Sequence, residues 1–164
     1  MKSKSALKYG VAFASFLVAP LAMAESGTYE TITSLVHAYT SIDHNGDTVT
    51  GGSSRGTSTV TTSSGGLFSA GASSAFECVV FARKSSGGMD LEAPCASTDS
   101  SGDKIYSVAK RKAGEVSEGG GGAGTSAIVG GTGRYAGMNG NCNYTVSFLP
   151  NNRLVSISKC RWQK

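Results

Sequence analysis

This sequence has little to build helices from. Charged residues make up only 16% of its 164 positions, and there are three prolines, one tryptophan and two histidines, while glycine alone supplies 23 residues. Beyond residue 24 a helical repeat of apolar positions is nearly absent, which excludes a helical bundle. Its four cysteines form no C-x-x-C and no Cys-His pair, so zinc and dithiol redox chemistry lack their usual ligands and spacing. The one long apolar run, Tyr9 to Leu21, is shorter than the roughly 20 residues of a membrane helix, so no transmembrane segment is expected.

That run has another use. Met1 to Lys8 carries three lysines and no acid, the apolar stretch follows, and Ala22-Met23-Ala24 supplies an A-x-A site before Glu25. These are the three parts of a secretory signal peptide, residues 1–24, of bacterial length, cut after Ala24. The expected mature chain is residues 25–164, a single domain in the periplasm or the medium. No cysteine follows the cut, so a lipid anchor there is not expected. Three of the 15 basic residues leave with the leader, so 12 face 11 acids. The basic pI is then a property of the leader, and no nucleic-acid partner is implied.

All four cysteines lie in the mature part, and an even number in an exported chain reads as disulfides. Ser85-Ser86-Gly87-Gly88 is a turn signal. A hairpin turning at Ser86-Gly87 pairs residues whose numbers sum to 173, as Cys78 and Cys95 do. A three-residue loop on Pro150-Asn151-Asn152 pairs residues summing to 302, as Cys142 and Cys160 do. Each pair falls directly opposite across its hairpin, so the expected bridges are Cys78–Cys95 and Cys142–Cys160.

The remaining chain reads as short strands separated by turns. Thr28 to Ser41 is rich in Thr, Tyr, Ile and Val, and Asn45-Gly46 is a strong two-residue hairpin signal. Thr48 to Thr62 returns, with a bulge or bend expected at Gly51-Gly52 and Gly56. Phe76 to Lys84, Met89 to Thr98 and Lys104 to Lys112 follow, then a glycine-rich loop from Gly114 to Gly124, whose Glu115 to Gly124 part reads as a plain flexible loop or as a lid over a barrel mouth. Ser126 to Val129, Asn141 to Leu149 and Arg153 to Trp162 complete eight strands, as in an all-β antiparallel barrel or a sandwich. Alternation places Phe76, Cys78, Val80, Ala82, Leu91, Ala93 and Cys95 on one inner face. It places Cys142, Tyr144, Val146, Phe148, Leu154, Cys160 and Trp162 on another, with both disulfides near one aromatic cluster. Phe76, Val80, Leu91, Tyr144, Val146, Phe148 and Trp162 are therefore the candidate lining of an interior cavity.

Ile128 to Gly140 reads IVGGTGRYAGMNG. Gly130, Gly131, Gly133 and Gly137 allow a tight turn or close backbone approach, and Tyr135 offers an aromatic anchor. No G-K-[ST] follows, so a phosphate loop is excluded. The segment resembles the GGTG-x-Y/F-x-x-x-x-G stretch of the allene oxide cyclase barrel-like superfamily, shared by dirigent proteins, plant allene oxide cyclases and many small exported bacterial proteins. The resemblance implies an eight-stranded antiparallel barrel with an apolar cavity, of the kind that binds lipid-derived or phenolic compounds. No motif here matches the catalytic acids of the cyclases or the dirigent proteins, so only the glycine turn carries over.

Residues able to do chemistry are few. His37 shares a strand face with Tyr29, Leu35 and Tyr39 and is the one candidate acid-base group, with Tyr106 or Tyr135 as a polarising partner. His44 sits beside a turn, and Asp43-His44-Asn45-Gly46-Asp47 lacks EF-hand spacing, so no metal site is expected. Glu77, Asp90 and Glu92 fall on the polar outer face, balanced by Arg83. Lys110-Arg111-Lys112 reads as a charged strand end. No cofactor is expected. The favoured function is a non-enzymatic exported barrel holding a small apolar molecule. The alternatives are a cofactor-free isomerase or cyclase and a secreted structural protein without ligand.

Overall fold

Alternating apolar and polar residues along extended segments demand a sheet with one dry and one wet face, and the computed structural model, which describes residues 25–164, closes that sheet on itself. The expected signal peptide, Met1–Ala24, lies outside the described residues. The strands are β1 (Ser26–His44), β2 (Asp47–Ser63), β3 (Ser73–Ser85), β4 (Gly88–Thr98), β5 (Lys104–Arg111), β6 (Gly121–Gly131), β7 (Asn139–Leu149) and β8 (Arg153–Gln163). Each pairs antiparallel with the next, and β8 returns to β1 to close an eight-stranded barrel.

Turn chemistry sets the registers. Asn45 and Gly46 both have positive φ, 55° and 84°, the two-residue turn that matches strand twist. In the β3–β4 hairpin Cys78 faces Cys95, and in β7–β8 Cys142 faces Cys160, so both expected registers and both disulfides are present. They do not share one cluster. Cys142–Cys160 packs with Tyr29, Phe68, Tyr135, Met138 and Trp162, whereas Cys78–Cys95 sits in an aliphatic group with Val80, Leu91 and Ala93.

Two expectations about glycine are corrected. Gly51, Gly52 and Gly56 lie in unbroken register with β1, and the shift falls instead between Glu30 and Thr31. At Gly52 and Gly56 a Cβ would overlap the Ala38 and Ser34 carbonyl oxygens, so glycine there allows close strand approach rather than a bulge. The glycine-rich loop is also shorter than expected. Gly121, Gly122 and Gly124 already pair with β7, because a Cβ at Gly121 would overlap the Val146 oxygen and one at Gly124 would meet the Tyr144 ring at 2.6 Å.

The outer face carries the paired surface charges. Lys110 meets Glu92 at 3.1 Å and Lys112 meets Asp90 at 2.7 Å, while Arg83, cross-strand from Asp90, lies 3.8 Å from Asp47.

Candidate functional site

The inner faces of all eight strands surround a cavity of about 270 Å³. Phe76, Val80, Leu91, Tyr144, Val146 and Phe148 are among its lining, and Leu35, Ile105, Ile128 and Leu154 add apolar wall. Trp162 is not among the lining residues; it is 3% exposed and packs edge-on to Phe68 at one end of the barrel. Hydroxyls interrupt the apolar wall. Thr33 and Ser58 share a 2.8 Å hydrogen bond inside the barrel, and Ser54, Ser107, Ser126, Ser156 and Ser158 also face the space. The interior is therefore less uniformly apolar than the large residues alone suggest.

One end is made of residues 64–72, 99–103 and 132–138. Phe68 stacks on Tyr29 with ring centroids 3.8 Å apart and forms a plug that no strand pattern reveals. Burial pushes the Tyr29 phenol well above its ordinary range, with the neighbouring Tyr135 adding to the effect. Arg134 pairs with Asp99 at 2.8 Å and donates to the Tyr135 hydroxyl at 2.5 Å. The exposed members of the lining, Ala72, Ser73, Ser100 and Arg134, all lie at this end.

The expected glycine turn belongs to the same end. Gly130, Gly133 and Gly137 have φ of 146°, 51° and 80°. Gly133 opens a single 3-10 turn, Gly133–Tyr135, whose Arg134 N–H donates to an Asp103 carboxylate oxygen at 3.0 Å. A Cβ at Gly133 would overlap that carboxylate. Gly131 lacks positive φ, but a Cβ there would lie 2.5 Å from the Lys104 oxygen and 2.6 Å from the Tyr135 Cβ.

The opposite end is capped by residues 112–120. The Glu115 N–H donates to the Gly121 oxygen, the Gly119 N–H to the Phe148 oxygen and the Phe148 N–H to the Gly120 oxygen. Val116 packs against the apolar groups below, and the Glu115 carboxylate pairs with Lys84. Beneath this cap lies the residue that sequence reasoning misplaced. Arg111 is 2% exposed and faces the cavity. Its Nη2 donates to the Glu115 main-chain oxygen at 2.9 Å, and its guanidinium carbon lies 5.9 Å from the Phe148 ring centroid. Its Nε and Nη1 have no hydrogen-bond partner among the described residues. Burial pushes the guanidinium down from its ordinary value, opposed by Tyr144, Tyr39 and Glu115.

A signal for Arg111 was present. Ile105, Ser107 and Ala109 face inward, so period two carries Arg111 inward and leaves Lys110 and Lys112 outside. Arg111 also pairs in register with the inward Leu91. Three adjacent basic residues read as one charged run only if alternation is ignored.

The candidate acid-base group is placed elsewhere. His37 is half-buried, stacks on Tyr39 with centroids 4.4 Å apart and meets Phe148 edge-on at 5.5 Å, but it is not among the lining residues. Burial lowers its pKa, favouring neutral imidazole. Tyr106 faces outward, and Tyr135 lies in the plugged end with Phe68, so neither joins His37.

No family model and no curated protein matches the chain. Among solved structures it is similar to the pterocarpan synthase dirigent protein, with a TM-score of 0.50 and 15% identity over 93% of this chain and 96% of that one. The likeness is one of fold, a dirigent-like β-barrel.

Proposed function

We propose that this protein is an exported, non-enzymatic barrel that holds one small, largely apolar molecule in its interior. The supporting observation is the cavity of about 270 Å³ lined by side chains from every strand. Its size is close to the lower end of the roughly 300–1,000 Å³ usual for ligand pockets. A barrel that was structural alone would fill that space with side chains, as eight-stranded barrels can. Binding is favoured over chemistry because His37, though packed against Tyr39 and Phe148, is not itself part of the lining, and the one carboxylate among the lining residues, Asp99, is held in an ion pair with Arg134. Export is supported by the A-M-A site and by two disulfides, which persist in oxidising compartments.

The test is native mass spectrometry of protein purified from its own periplasm or medium, followed by titration with a fluorescent apolar probe. A co-purified small molecule and one probe per chain are expected. A bare mass and no probe uptake would favour the structural alternative. N-terminal sequencing of the exported form should begin at Glu25.

A further inference from the structure

A buried cation without a counter-ion is expensive, because removal from water costs several kcal/mol that only a charged or strongly polar partner returns. The two arginines of the cavity lining differ in this respect. Arg134 is answered by the Asp99 carboxylate and the Tyr135 hydroxyl. Among the described residues Arg111, the more buried of the two, faces no free carboxylate: the Glu115 side chain is engaged by Lys84, and only its main-chain oxygen reaches the guanidinium. The other groups around Arg111 are the Tyr39 and Tyr144 phenols and the Phe148 ring. An arginine carries five N–H donors in a fork that suits oxyanions. Here one of them is used; Nε and Nη1 have no hydrogen-bond partner among the described residues, and the side chain forms part of the cavity wall.

The surrounding chain keeps the guanidinium in place. A Cβ at Gly122 would come within 2.9 Å of Nη1 and 3.3 Å of Cδ, so the absence of a side chain there makes the room. The bond from Nη2 to the cap fixes the head from above. Leu91, Val80 and Val146 continue the wall below it towards the end where Ser73, Ser100 and Arg134 meet solvent.

We infer that the guest of this cavity is an amphipathic organic acid, its carboxylate or equivalent oxyanion received by Arg111 at the deep end and its apolar body lying along the barrel. This rests on the binding reading above and adds the charge that the guest must carry. Hydrogen bonds to a charged group in such a setting are worth about 1.5–3 kcal/mol, so a carboxylate should be preferred over a neutral head by about tenfold or more.

The experiment compares decanoate, decanol and decylamine, which share one apolar body, by calorimetric titration of the disulfide-oxidised protein at about pH 8. Decanoate should bind at least about tenfold more tightly than decanol, and decylamine least. Arg111→Met should abolish the preference of decanoate over decanol, and Arg111→Lys should restore part of it. The comparison on the unaltered protein stands even if Arg111→Met fails to fold. If decanol and decanoate bind within twofold of each other, or the amine binds best, the inference is overturned and the apolar-binding reading survives. If none of the three binds, both fall.

Discussion

Removing either disulfide measures what holds this glycine-rich barrel together. Cys78–Cys95 and Cys142–Cys160 span 17 and 18 residues. Loop-closure entropy for a loop of that length gives about 3 kcal/mol each at room temperature. Two such terms approach the whole stability of a small domain, about 5–15 kcal/mol. Cys78→Ala/Cys95→Ala and Cys142→Ala/Cys160→Ala should therefore each lower the urea midpoint by about 1–3 M, given an m-value of about 1–3 kcal/mol/M. Trp162, deeply buried in the folded state, is the natural fluorescence probe. Two features make the reasoning testable. The nearly equal loops predict nearly equal losses, and a freed denatured chain should expand and raise m. If packing governed instead, the bridge in the aromatic cluster would cost much more than the aliphatic one. A loss below about 1 kcal/mol for either pair, with m unchanged, refutes the entropic account.

Phe148 and Trp162 are both buried core, so both alanine variants should lose stability, but only Phe148 should act directly on binding. Phe148→Ala, in the cavity wall, should weaken an apolar probe, while Trp162→Ala, in the plugged end, should cost about 3–5 kcal/mol in urea unfolding. Gly133→Val should lose more than about 1 kcal/mol, since φ is 51° and the new Cβ would overlap Asp103; a variant as stable as the parent would remove the structural reading of this turn. Tyr29, Tyr39, Tyr135 and Tyr144 all have phenols raised chiefly by burial. Above about pH 10 the unfolded chain releases these protons while the native one keeps them, so stability should fall as pH rises, and tyrosinate absorbance should lag that of the urea-unfolded protein.

The parts legible in the sequence were those governed by local rules. Hairpin arithmetic located Cys78 opposite Cys95 and Cys142 opposite Cys160, because a turn and a period of two leave no other register. Alternation likewise turned Val80, Leu91 and Phe148 inward and left Phe81, 56% exposed, outside. Closure was harder to read. Gly121, Gly122 and Gly124 looked like loop because their role is to let Val146, Arg111 and Tyr144 come close, a requirement set by other strands. Phe68 sits between two turns with no pattern of its own, and only the closed end of the barrel gives it a partner in Tyr29. Arg111 shows the limit from the other side: its inward position followed from Ile105, Ser107 and Ala109, but the usual expectation that basic residues seek water outweighed it.

The seam between β1 and β8 dictates the order in which the molecule can assemble. Ser26 pairs with Gln163 and Val36 with Arg153, so the first strand to be made must wait for the last. Each disulfide, by contrast, joins neighbours within one hairpin and can form as soon as that hairpin reaches an oxidising compartment. Until that seam closes, β1 and β8 present bare edges, with Ile32 and Val36 exposed on the outer face of β1. Before closure the chain would hold two stapled hairpins and an open sheet. The long-range β1–β8 zipper then makes closure the slow, aggregation-exposed step of its biogenesis.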